Sequence, residues 1–268
     1  MGCRRQNRIA VPSTPSSFLT PCRHGLKIPV EVNDLFPACV VTNQPAAEAQ
    51  VLLTLDVPRE VWSAHIQPAQ YVDLVLPGMS PWRGTIANRP GRERFEFLVK
   101  DVGERSHRMA ALAPGEEIRT TQPLGDGFPV LAHRRMDIIM VACGVAICAM
   151  RPVVEEILLQ RTDWRRVVLF YGERTADRFA FTEERERWRE NDVKVHLSAS
   201  RPSEGTYWLG HTGYVQDRIL EVAPDVRDAV AFLAGRDGMI DEASSALMRL
   251  NLPENRVIMN GESQKSQD

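Results

Sequence analysis

Four short stretches carry residue types suited to holding a phosphorylated ligand. Ala142-Cys143-Gly144-Val145-Ala146-Ile147 is a run of small side chains between an apolar segment and an amphipathic one. Such a bare backbone lets a ligand approach a helix start, where unpaired N–H groups and the dipole favour phosphate. Close packing of a strand on a helix asks for the same residues, so the run alone decides nothing. Gly172-Glu173-Arg174-Thr175 repeats the form, with Arg174 as either a phosphate contact or a solvated loop arginine. In Ser198-Ala199-Ser200-Arg201-Pro202 a hydroxyl stands beside a guanidinium, a pair able to grip a ribose phosphate through charge-assisted hydrogen bonds. Ala234-Gly235-Arg236-Asp237-Gly238-Met239 again opens a helix with small residues. Their recurrence at successive junctions exceeds what packing alone requires.

Other reactive side chains form no such pattern. Cys143 and Cys148 are spaced C-x₄-C, but a cluster needs further ligands and the remaining cysteines, Cys3, Cys22 and Cys39, lie far off in the chain, so buried structural thiols are expected. No metal site is expected. His107 follows Ser106 without the glycine frame of a nucleophile elbow, so a hydrolase triad has no support. His211, in Gly210-His211-Thr212-Gly213-Tyr214, is expected to cap a loop. The charged run 183–190 has the spacing of a solvated helix face with i,i+4 pairs, and Met239 and Met248 are expected as core fillers.

The elements that must position the four stretches follow from periodicity. From about residue 36 to 130 short β-type runs at 38–41, 51–55, 71–76 and 95–99 are punctuated by Pro77-Gly78, Pro90-Gly91 and Pro114-Gly115, which suggests a small barrel or sandwich with one short helix at 106–112. After about residue 135 strands at 137–142, 167–171, 193–197 and 229–233 alternate with helices at 149–160, 183–190, 215–222 and 237–250. That alternation predicts a parallel sheet with helices on both faces, and ligands of such sheets bind at the carboxyl ends of the strands. Each of the four stretches falls on that edge.

Composition removes several classes of function. At 268 residues, with 43% hydrophobic and 25% charged, the chain is globular and long enough for two domains. The balance of 33 basic against 35 acidic side chains, net −2, lacks the excess that neutralises phosphates along nucleic acid. Five cysteines at irregular spacing predict a reducing, cytoplasmic setting. The most apolar stretch, residues 136–150, includes Asp137 and falls short of the about 18–20 residues that a spanning helix needs. Residues 1–33 are basic, rich in Ser, Thr and Pro, and nearly free of acid, which suits either a disordered start or a targeting presequence. Gln6 stands where a myristoylation signal places Ser or Thr.

The order of these features resembles the ferredoxin–NADP reductase-like flavoproteins over about residues 36–259. Leu76-Pro77, followed by Trp82-Arg83-Gly84-Thr85-Ile86-Ala87, is similar to the family's flavin signature, an arginine–any–aromatic–serine after a strand ending in Leu-Pro. Lys100-Asp101-Val102-Gly103-Glu104-Arg105-Ser106 resembles its second flavin motif, a glycine before Ser or Thr at a helix start. Gln122-Pro123-Leu124-Gly125-Asp126-Gly127-Phe128 is similar to the passage that closes the flavin domain. The Ala142 turn resembles the family's Gly-Gly-Thr-Gly-Ile-Ala-Pro loop, and Ala234 to Met239 its Cys-Gly-Pro-Pro-Gly-Met loop.

The resemblance implies a six-stranded antiparallel all-β barrel of Greek-key type at 34–132, a parallel Rossmann-like α/β domain at 133–260 and a polar tail at 261–268. It implies FAD in the barrel half and NAD(P)H in the α/β half, with hydride passing between rings held about 3–3.5 Å apart. Arg83 would neutralise the flavin pyrophosphate, Thr85 would hydrogen-bond the isoalloxazine, and Gly84, Ile86 and Val99 would flank it. Gly103 and Ser106 would offer backbone amides. Gly144, Val145, Ala146, Gly172, Arg174, Ser200, Arg201, Gly235 and Met239 would line the nucleotide site, and no catalytic residue is assigned. A protein electron acceptor or partner subunit would take the electrons.

Departures from the pattern keep a second reading open. The flavin signature is one residue short and lacks its aromatic, and Ala146 replaces a glycine, so its methyl would obstruct a phosphate if the position needs positive φ or very close approach. Val145 and Ala149 replace Thr and Pro of the same loop, and Arg236-Asp237 replaces the two prolines of the other. Ala234 stands where the family places a thiol beside the nicotinamide. The tail after Asn260 has neither the terminal aromatic nor the cysteine cluster of relatives, so electrons would leave directly from the flavin. The alternative is a non-catalytic reductase-like subunit or cofactor-binding module.

Overall fold

The structure, a computed structural model, describes residues 35–202 and 208–260; the expectations for 1–33 and 261–268 lie outside the described residues. The first half contains β1 (Phe36–Ala47), β2 (Gln50–Asp56), β3 (Tyr71–Val75), β4 (Trp82–Thr85), β5 (Arg94–Lys100) and β6 (Glu117–Thr120), with α1 (Arg59–Trp62) and α2 (Glu104–Ala110) between them. The strands pair antiparallel in the order β4-β3-β6-β1-β2-β5. The bond from the Ala87 N–H to the Glu96 carbonyl, 2.7 Å, joins the two ends of that order and closes the barrel. Inside lie Leu53, Leu55, Val72, Ile86, Phe95, Phe97 and Val99, all fully buried.

β1 runs six residues past the predicted strand end and through Pro45. Register shifts at 40/42 and 45/47 accommodate it, because a bulge tolerates a residue that cannot donate to the ladder. β6 escaped prediction because Glu117-Ile118-Arg119-Thr120 is too short and polar to show a period.

The second half contains β7 (Asp137–Cys143), α3 (Ile147–Leu159), β8 (Val167–Glu173), α4 (Thr182–Glu190), β9 (Val193–Ala199), β10 (His211–Thr212), α5 (Val215–Val222), β11 (Ala229–Ala234), α6 (Asp237–Arg249) and β12 (Val257–Met259). All its strands pair parallel, in the order β10-β9-β8-β7-β11-β12. One face of the sheet packs on α5 and α6 through residues such as Val141, Phe170 and Leu233. The other face packs on α3 and α4 and continues into the barrel, for Ala69, Ala87, Leu98 and Phe128 belong to the same buried cluster as Met140, Cys148 and Phe232. The two halves therefore share a core. The Phe128 and Phe232 rings, 4.9 Å apart, mark the join.

The polar run at 183–190 is only partly solvated. Arg189 pairs with Glu186 at i,i+3, but Arg185 is buried and donates to the Ala180 carbonyl at 2.9 Å, and Glu184 faces α3. Among the described residues no helix is long and apolar enough to cross a membrane.

Candidate functional site

Strand alternation divides the β4 residues between core and exterior. Trp82, Gly84 and Ile86 point into the barrel, while Arg83 and Thr85 point out. A Cβ on Gly84 would collide with the Trp82 ring and come within 2.8 Å of Phe97, so barrel packing already explains that glycine. Ile86 and Val99 are fully buried in the same core, and only their backbones remain for a ligand. Outside, Thr85 stands opposite Tyr71 and Arg83 opposite Asp73. The Arg83 guanidinium makes a bidentate pair with Asp73, at 2.9 and 3.1 Å, and lies 4.3 Å above the Tyr71 ring. The β4 aromatic, Trp82, faces the core, so the ring on this outer face, Tyr71, comes from β3 and is covered by the backbone at Gly125, where a Cβ would come within 2.8 Å of it.

At the start of α2 the Ser106 hydroxyl is committed locally. It accepts from the Val102 and Gly103 N–H groups, both at 3.0 Å, and so caps its own helix. Gly103 is extended, and no atom lies within 4 Å of where its Cβ would sit.

The turn after β7 departs from one sequence expectation. Gly144 adopts φ +59, a left-handed conformation that needs glycine, with open space where a side chain would be. Ala146 has φ −66, an ordinary right-handed value, and its methyl packs into the core. The position therefore does not need the positive φ that would call for glycine. No side chain caps α3; the 3-10 turn Gly144–Ala146 runs straight into it, and the first N–H of the helix, that of Ile147, donates to the Gly144 carbonyl.

Neighbouring strand ends complete the edge. Gly172 packs against α5, where a Cβ would meet Val215 at 3.3 Å. Arg174 and Arg201 are both exposed, and their chains are joined by the Arg201 N–H to the Arg174 carbonyl at 2.7 Å; the Ser200 N–H bonds the Glu173 carbonyl at 3.0 Å. Gly235 is demanded by its surroundings, since a Cβ would strike the Met239 methyl and lie 2.9 Å from the Cys143 sulfur. That sulfur corrects two expectations. Cys143 is partly exposed at the sheet edge, and a thiol does stand beside Gly235, supplied by β7 instead of β11. Burial nonetheless raises the Cys143 thiol above its usual range; Cys148, fully buried, is pushed up to about 12 by the same cause.

Sequence reasoning also missed Glu173. This carboxyl, at the end of β8, is buried and lifted above the usual carboxylate range by desolvation, which Lys100 at the end of β5 opposes. The Tyr171 hydroxyl donates to it at 3.3 Å. No periodicity marks such a residue, because its burial comes from the barrel meeting the sheet.

Thr85 faces outward, and no atom lies within 4 Å of where a Cβ on Gly103 or Gly144 would sit. β5 packs against the Gly144–Ala146 turn, so barrel and sheet meet there.

The architecture, a closed antiparallel barrel leading into a parallel α/β sheet, is the fold of the ferredoxin–NADP reductase-like proteins among solved structures. Residues 140–245 match the oxidoreductase NAD-binding domain. Among curated proteins the chain is similar to sulfhydrogenase 1 subunit gamma of Pyrococcus furiosus, 25% identical over 202 residues, covering 73% of this chain and 68% of that one. It is also similar to the reductase component DmpP of phenol 2-monooxygenase from a Pseudomonas species, 29% identical over 202 residues, covering 72% and 56%. It thus spans just over half of the latter's length. Among solved structures, the Amycolatopsis cytochrome P450 reductase GcoB superposes with a TM-score of 0.75 at 20% identity, covering 85% of this chain and 69% of that one. A ferredoxin NADP+ reductase from Neisseria gonorrhoeae, with bound FAD and NADP, gives 0.71 at 12% identity, covering 85% and 98%.

Proposed function

We propose that the protein is a flavin-dependent oxidoreductase that takes hydride from NAD(P)H onto bound FAD and passes electrons to a separate acceptor, in the cytoplasm. The observation that supports this reading is the contact of β5 with the Gly144–Ala146 turn, which brings the barrel next to the open glycine turn after β7. When bound, flavin supplies the hydride acceptor and nicotinamide the donor. The chain's own residues bind and orient. Thr85 offers an outward hydroxyl beside the seam, the open turn at Gly144 lets a pyrophosphate approach the backbone, and Arg174 with Ser200 and Arg201 form the basic edge for the adenosine end. Arg83, already paired with Asp73, would meet a flavin phosphate through a shared guanidinium.

Purified protein saturated with FAD should show flavin absorbance that bleaches when NADH or NADPH is added without oxygen. Colourless protein that fails to take up FAD would instead support the non-catalytic subunit.

A further inference from the structure

We propose that Arg151 is a positioning residue that fixes the nucleotide-binding turn against the flavin-binding barrel. It rests on the function just proposed.

Arg151 lies in α3, one helical turn beyond the Gly144–Ala146 turn, and is 7% exposed. Its guanidinium reaches two elements of the barrel. It pairs with Glu96 on the outward face of β5 and donates to the Ala87 carbonyl at 3.0 Å, two residues beyond Thr85. Towards α4 it makes a bidentate pair with Glu184, at 2.7 and 3.0 Å, and the Phe181 ring lies 4.9 Å from its central carbon. Glu155, one turn further along α3, stands 3.6 Å away and accepts the Arg89 N–H at 2.9 Å. One buried cation is thus engaged by three carboxylates and a carbonyl drawn from both halves.

Packing of the shared core does not need this. A buried ion pair gains little net stability over apolar side chains of the same volume, because desolvation offsets the Coulomb attraction. What it provides is direction, since a planar fork engaged at several edges admits one orientation. The elements it joins are the strand end that follows Thr85 and the helix that begins at the nucleotide turn. Their separation sets the distance between the two rings, and hydride transfer falls steeply with misplacement.

The test compares wild type with Glu96→Gln, Arg151→Lys and Arg151→Met. Glu96→Gln keeps the volume and removes only the charge pairing across the seam, so it serves if Arg151→Met does not fold. Flavin content and the dissociation constant for NAD(P)H should stay within about twofold of wild type, while single-turnover bleaching slows by roughly ten- to a hundredfold. Arg151→Lys should not restore the rate. In protein without added cofactor, amide exchange should rise at 87–96 and 144–151 together in the variants. Wild-type rates and exchange in Glu96→Gln and Arg151→Lys would overturn the proposal. So would flavin and nucleotide affinity falling in step with the rate, since that is simple loss of structure. If wild type itself takes up neither flavin nor nucleotide, the functional reading fails first, and its failure is distinguished by that control.

Discussion

Arg201 sits exposed where β9 leaves the sheet, its backbone tied to Arg174, so its guanidinium is free of any core role. If it grips a 2′-phosphate, Arg201→Ala should raise KM for NADPH about tenfold or more and leave KM for NADH nearly unchanged, the size expected for a lost charge-assisted hydrogen bond. Steady-state kinetics with both nucleotides checks this, and equal effects would remove the phosphate role. His65 tests burial instead of binding. The residue is 2% exposed, and desolvation, only partly opposed by the Gln67 backbone, lowers its pKa from 6.5 to about 4. The unfolded chain therefore binds the proton more readily. The stability that a neutral His65 contributes is complete above pH 6.5 and is lost as pH falls toward 4, by roughly 3 kcal/mol in total. Urea midpoints should fall through that window in wild type and fall less in His65→Leu. The two differ in legibility: an arginine beside a serine after a strand shows in the sequence, but a histidine in the α1–β3 loop gives no sign of being buried.

Helix and strand ends decide how the site residues are used. Ser106 was legible as the hydroxyl after a glycine at a helix start, yet the structure spends that hydroxyl on the Val102 and Gly103 N–H groups. Ser106→Ala should accordingly cost about 1 kcal/mol of stability, the usual effect of losing a helix cap, while flavin content stays the same. Thermal unfolding and flavin absorbance together measure it; loss of flavin at unchanged stability would return the hydroxyl to the phosphate. The four strand-to-helix junctions were legible because small residues followed apolar runs at regular intervals. The division of β4 into a core-facing Gly84 and an outward Thr85 followed from alternation only once the register with β3 was known. Ala146 shows the same limit. Its replacement of glycine suggested a blocked loop, whereas the backbone there turns right-handed and the left-handed residue is Gly144.

Across the whole molecule the two halves are fastened by more than Arg151. Arg178 pairs with Glu48 at 2.8 Å, the Gln50 side-chain amide donates to the Arg178 carbonyl at 2.8 Å, and the Asn260 amide donates to the Ala69 carbonyl at 2.8 Å. With a buried cluster common to both, barrel and sheet should unfold in one transition. Hydrogen exchange tests this: the slowest amides of the barrel, such as Phe97, and of the sheet, such as Leu169, should report the same opening free energy. Two distinct values would show that the shared core does not couple them. By itself the amino-acid order established a β half, an α/β half and a row of strand ends fit for phosphate, because periodicity and small-residue turns are local properties written along the chain. Which side chains meet across the seam was decided only in three dimensions. Glu173 with Lys100 and Arg151 against Glu96 join residues separated by dozens of positions, and such pairings depend on how the sheet docks on the barrel, for which a linear sequence has no period.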